Sequence, residues 1–367
     1  MLSTNPSRII VLSPNWLGDA VMALPAIADV ERHFPSAHLV VAARQSIAGV
    51  FRLAPSVDEV LVLEWGGKLL RSRALRSDLA ALRCVQADLA LLFPNSFASA
   101  WMVRRAAIPD RWGYATDLRR PLLSRAIRRP RRSMHQSAYY QHLVHELGIA
   151  TGLLEPVLAA PESAVVEARA LLAARGCDAA SRLVAIAPGA AYGTAKRWLP
   201  AHFARLVTML VNTQDATCVL VGSRADLETT RWIVRMLPER ERSQTHDLAG
   251  QTTLDSLAGV MRLSRVFVSN DSGAMHMAAA LGVPVVALFG PTREHETAPL
   301  ARSGGRTEVL LQPVWCRPCM LRECPIDHRC MKGLSPERVF ETVSELMGDP
   351  KGSAGPHGPV LHVRRQR

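Results

Sequence analysis

Asp19 follows a glycine at the head of an apolar run, in the stretch Ser13 to Ile27 that reads SPNWLGDAVMALPAI. A carboxylate placed there caps a helix or, facing a bound hydroxyl, takes its proton. Lys196 lies in APGAAYGTAKRW, where Gly189 and Gly193 make a pliant loop and Thr194, Lys196 and Arg197 supply donors. Such a lysine is either an ordinary exposed cation or the group that neutralises charge on a departing phosphate. The spacing is not that of a Walker loop. In Asn270-Asp271-Ser272-Gly273 an apolar run stops abruptly and another begins. Capping accounts for one polar residue there and leaves several unexplained. A helix N-terminus offers backbone N–H groups to an anion, Gly273 permits close approach, and His276 lies one turn in.

Two further clusters carry less specific signals. Asp226 and Glu228 follow Gly222, where a carboxylate accepts hydrogen bonds from ribose hydroxyls, although acids are common at helix starts. Cys316, Cys319, Cys324 and Cys330 are spaced C-x2-C-x4-C-x5-C. Four close thiols fit a structural zinc ion, an iron–sulfur cluster, or simply reduced cysteines in a compact loop. No Asp-x-Asp and no H-E-x-x-H occurs, so Lys196 and helix N-termini take the place that Mg²⁺ holds on many diphosphates.

The elements that must position these groups alternate. RIIVL, HLVVAA, EVLVL and DLALLF read as buried strands separated by amphipathic stretches such as Leu69 to Val85. From Arg182 the pattern restarts with RLVAIA, TCVLVG, RVFVS and VPVVALFG. Strand–helix alternation demands parallel sheets covered on both faces, and in such sheets ligands sit beyond the carboxyl ends of the strands. Every polar cluster above falls at such an end. The chain therefore reads as two similar α/β domains, 1–160 and 161–347, joined near the proline-bearing Leu154 to Ala164. The Gly- and Pro-rich tail 348–367 reads as disordered.

Composition narrows the partners. With 48% hydrophobic and 21% charged residues the chain is globular, and no apolar run reaches the roughly 18 residues of a membrane span. The N-terminus lacks the proportions of a signal peptide, which points to the cytoplasm and reduced cysteines. Net charge is +12, and the run Arg119 to Arg132 holds seven arginines, Arg119, Arg120, Arg128 and Arg129 among them. That run suits an anionic partner or is a solvated loop. Aromatics are only 5% and none interleaves the run, which argues against nucleic acid.

LGDAVMALPAI, PGAAYGTAKRW and SNDSGAMHMAAALGVPVVALFGPT together resemble the ADP-heptose:lipopolysaccharide heptosyltransferases, and CRPCMLRECPIDHRCMKGLSPERV resembles the heptosyltransferase II branch. The resemblance runs from about Arg8 to Met347. It implies a GT-B fold, two Rossmann-like domains with a cleft between them, and inverting transfer of heptose from ADP-heptose to the heptosyl-Kdo2-lipid A inner core. No cofactor is implied. Carried over by motif, Asp19 matches the general base and Lys196, with Thr194 nearby, the diphosphate-binding lysine. Asp271, Ser272 and Gly273 match the segment on phosphate and sugar, with His276 in its helix. Asp226 or Glu228 matches the ribose carboxylate, and DLAGQTTL, which includes Leu248 and Gly250, the backbone along the adenine. The arginine run is heavier than the resemblance requires. An anionic lipid acceptor gives it a purpose at the inner face of the inner membrane. A related transferase with another sugar or acceptor, heptosyltransferase I or a protein heptosyltransferase among them, shares these motifs.

Overall fold

The computed structural model describes residues 5–64, 73–177, 182–302, 304–348 and 361–365. It falls into two compact units, Met1–Ala159 and Ala160–Arg367. Each is a parallel sheet wound on both sides by helices.

In the first unit the strands are β1 (Arg8–Leu12), β2 (His38–Arg44), β3 (Glu59–Leu63), β4 (Leu89–Leu92), β5 (Asp110–Tyr114) and β6 (Arg125–Ile127), in the order β3-β2-β1-β4-β5-β6. Val11 of β1 pairs in register with Val41 on one side and Leu91 on the other. The chain winds outward from β1 to β3, then returns to place β4 against β1. This reversal opens a crevice at the carboxyl ends of β1 and β4, the place where doubly wound sheets take ligands. Central strands are apolar throughout because both faces are covered; Ile9, Ile10 and Val11 are almost wholly buried.

The second unit repeats the plan with β7 (Arg182–Ala187), β8 (Ala216–Leu220), β9 (Thr245–Asp247), β10 (Val266–Asn270), β11 (Val285–Phe289), β12 (Thr307–Leu311) and β13 (Leu361–Arg365). Their order is β13-β12-β11-β10-β7-β8-β9, so the reversal lies between β7 and β10. Helices Pro200–Gln214 and Pro336–Gly348 cover one face with Phe203, Leu206, Val207, Leu210, Val339 and Val343, all buried in one cluster. Truncating such a residue costs about 2–5 kcal/mol.

The eight apolar strands read from the sequence are present. Five strands were not read from the sequence: β5, β6 and β9 are polar or short and carry few β-branched residues, and β12 and β13 lie at the end of the second sheet. Two expectations need correction. The arginine run is not all loop, since Arg125–Ile127 forms the edge strand β6. The tail is not disordered throughout: Leu361–Arg365 pairs with β12, and Arg364 bonds Glu308 (2.9 Å) and Glu345 (2.6 Å). Ion pairing supplied what composition did not show. Of the amphipathic stretch Leu69 to Val85, Arg73–Cys84 is helical and 69–72 lie outside the described residues.

Candidate active site

In the second unit, the polar clusters lie at the carboxyl ends of β7, β8, β9, β10 and β11. Lys196 closes a short 3-10 turn, Thr194–Lys196, beyond β7. Its Nζ lies 2.6 Å from Asp271 Oδ2, just beyond β10, and 4.9 Å from the Tyr192 ring centre. Thr292 Oγ1, beyond β11, donates to the same Asp271 oxygen at 2.6 Å. The lysine and carboxylate side chains are 13% and 4% exposed. A pair so withdrawn from water is held strongly in one geometry, since removing either partner strands a charge.

Asp271 thus spends its carboxylate on Lys196 and Thr292. Anion binding at this junction falls instead to the lysine and to the start of helix Gly273–Ala280. No side chain caps that helix: Ser272 Oγ pairs with Ser269 Oγ at 2.9 Å. Its first N–H groups therefore stand beside a cation at the sheet's reversal point, the arrangement that receives a phosphate. His276 is buried within the helix. Thr194 is exposed at the mouth of the lysine loop.

Asn270, quoted in the sequence cluster but given no role of its own there, locks the two loops together. Its Nδ2 donates to Pro188 O (2.8 Å) and its Oδ1 accepts from Trp198 N (3.0 Å). Asp226 is buried and folds back on Ser223 in a capping box, Oδ2 accepting from Ser223 N (2.9 Å) and Oγ (2.7 Å). A Cβ on Gly189 would lie 2.3 Å from Asp226 Oδ1, so only glycine lets the two loops meet. Glu228 is exposed in the next helix. Leu248 and Gly250 run along the end of β8, their N–H groups donating to Leu220 O and Gly222 O.

All four cysteines of the C-x2-C-x4-C-x5-C motif line one small cavity of about 20 Å³ together with Ala195, Pro291 and His328. The donor set suits a soft metal, yet among the described residues no three of His, Cys, Asp and Glu are placed to hold one ion.

In the first unit, Asp19 sits in the first turn of helix Leu17–Met22 at the end of β1, partly exposed. Its carboxylate accepts a hydrogen bond from Tyr140 on helix Gln136–Glu146, whose hydroxyl is in turn bonded by Gln136. Tyr140 is 4% exposed, and burial, with the Asp19 charge next, holds its proton well beyond the usual phenol range. Asn95, at the end of β4, donates to Tyr139 Oη at 2.9 Å.

Arg119 corrects the sequence expectation of a surface cation. It is fully buried, with Nε donating to Tyr114 O (2.8 Å) and Nη1 to Ser99 Oγ (3.1 Å) and to Pro94 O. Desolvation lowers its pKa to about 10. Arg120, Arg128 and Arg129 are exposed, and Arg129 lies over the Tyr139 ring at 5.6 Å.

Residues 76–329 match the model of glycosyltransferase family 9 (heptosyltransferase). The chain belongs to glycosyltransferase family 9. Among its relatives, lipopolysaccharide heptosyltransferase 2 of Salmonella typhimurium is 30% identical over 353 residues, covering 93% of this chain and 99% of that one. Lipopolysaccharide heptosyltransferase 1 of Pseudomonas aeruginosa is 28% identical over 377 residues, covering 94% and 99%. The solved structure of E. coli ADP-heptose lps heptosyltransferase II superposes with a TM-score of 0.79 at 28% identity, over 93% of this chain and 98% of that one. The family-9 chain is accordingly a glycosyltransferase with two doubly wound units of the GT-B class. Its family model spans the lysine loop, the Asp271 junction and three of the four motif cysteines, Cys316, Cys319 and Cys324.

Proposed function

We propose that this glycosyltransferase adds a heptose from ADP-L-glycero-D-manno-heptose to the inner core of lipopolysaccharide that already carries one heptose, with inversion at the anomeric carbon. The observation that carries this reading is the buried Lys196–Asp271 pair beside an uncapped helix N-terminus at the sheet's reversal point, in a chain whose relatives include heptosyltransferase 2.

The acceptor oxygen attacks the anomeric carbon while the bond to the diphosphate breaks. Asp19 takes the acceptor proton as the new bond forms; its Tyr140 contact holds the carboxylate in place. ADP leaves with the bonding electrons, and its growing charge is met by Lys196 and the N–H groups of Ser272 and Gly273. The ribose and adenine follow the β8 and β9 ends, past Asp226, Glu228, Leu248 and Gly250. A single displacement of this kind inverts the sugar. Asp19→Asn is expected to lose nearly all turnover while ADP still binds in calorimetry; comparable turnover removes Asp19 from the base role.

Heptosyltransferase I is the second reading, favoured by the identity to the Pseudomonas aeruginosa protein. The two differ in acceptor, so assays on Kdo2-lipid A with and without a first heptose separate them.

No helix among the described residues is long and apolar enough to cross a membrane. Exposed Arg120, Arg128 and Arg129, with Leu118 at 90% exposure, form a basic and apolar surface suited to the anionic inner face of the inner membrane. Each surface cation near such a leaflet contributes ~1 kcal/mol.

A further inference from the structure

The cysteine-rich segment is the one sequence motif to which the proposed chemistry gives no task, yet it grips both loops of the diphosphate site. On one side Arg317 Nε donates to Gly290 O (2.8 Å) and its Nη2 to Thr292 O (3.0 Å) and Glu294 Oε2 (3.0 Å). Arg317 and Glu294 side chains are only 9% and 15% exposed. The Thr292 so held is the residue whose hydroxyl donates to Asp271.

On the other side His328 Nε2 lies 2.8 Å from Ala195 O, and because a carbonyl only accepts, that nitrogen carries the proton. Ala195 N donates to Arg322 O at 2.9 Å, and Tyr192 Oη to Met320 O at 2.9 Å. A Cβ on Gly193 would lie 2.2 Å from Arg322 O, so the segment presses directly on the loop that carries Lys196. Met320 N closes the frame on Pro291 O at 3.0 Å.

We propose that Arg317 and His328 are positioning residues for the donor diphosphate, fixing from behind the loop that carries Lys196 and the loop beyond β11 whose Thr292 holds Asp271. The proposal rests on reading the Lys196–Asp271 pair as the diphosphate site. Arg317 and His328 hold backbone carbonyls, and a pair already aligned loses less freedom when the diphosphate arrives.

The test is ADP titration by calorimetry, with steady-state kinetics on ADP-heptose and thermal melts, for the wild type, Arg317→Lys, His328→Asn, Thr292→Val and the Arg317→Lys/Thr292→Val double variant. Lysine keeps the charge beside Glu294 and loses the fork that spans two carbonyls. Asparagine tolerates the left-handed backbone of His328, at φ 61°, and is too short to reach Ala195. Each single variant is expected to weaken ADP about tenfold and to raise KM more than it lowers kcat, with an unchanged melting temperature. The double variant is expected to be no worse than its poorer parent, because Arg317 acts through Thr292. Unchanged ADP affinity in Arg317→Lys and His328→Asn overturns the proposal. Losses that multiply in the double variant, or that track a fall in melting temperature, overturn it too. A wild-type chain that binds no ADP removes instead the functional reading beneath it.

Discussion

At the residue scale, each unit carries a carboxylate held by a partner at its strand ends. Asp271 is fixed by Thr292 and Lys196, Asp19 by Tyr140, and each partner sets where a charge stands. Asp271→Asn keeps the shape and discards the charge that orders Lys196. Its kcat/KM for ADP-heptose should fall at least tenfold, and equal values would show that the lysine needs no such partner. Tyr140→Phe keeps the buried ring and removes the hydroxyl proton it aims at Asp19. Its kcat should drop several-fold with little change in ADP affinity, and an unaltered kcat would discard the contact as a positioning device. The strand-end positions of Asp19, Lys196 and Asp271 were legible in the sequence because each is a charge within three residues of a glycine near the end of an apolar run. Thr292, Asn270 and Tyr140 were not: their partners lie 21, 72 and more than a hundred residues away, and no local spacing records them.

At the element scale, strand ends decide what a residue becomes. The β-branched runs exposed the central strands and their order of appearance, and with them the location of every loop that carries chemistry. What they did not carry was the use of Arg119, which composition placed among surface arginines. The fold turns it inward, where it gathers the carbonyls of Pro94 and Tyr114 at the ends of β4 and β5. Arg119→Met leaves those buried acceptors unmatched and should cost roughly 2–4 kcal/mol of stability in urea unfolding. Arg128→Ser and Arg129→Ser, on exposed positions, should stay within about 0.5 kcal/mol. If the three behave alike, Arg119 is not the structural member of the run.

At the scale of the whole molecule, two doubly wound units answer to one family and one class of reaction, while the net charge of +12 adds a preference for anionic surroundings. Replacing Arg120, Arg128 and Arg129 together by serine should weaken binding to vesicles containing anionic lipid at low salt, with the difference fading as salt is raised. Binding that ignores the substitution would detach the run from membranes. Neither the acceptor nor the sugar was legible from physical patterning, because a few contacts distinguish one sugar from another within a shared fold; the proposed pair rests on motif resemblance and on what the relatives are. The most direct test of the account is therefore transfer of heptose from ADP-heptose to purified Kdo2-lipid A and to the same molecule already bearing one heptose, with Asp19→Asn run beside the wild type. The account predicts transfer to the heptosylated acceptor alone, lost in the variant. Transfer to neither acceptor, or full activity in Asp19→Asn, would contradict it.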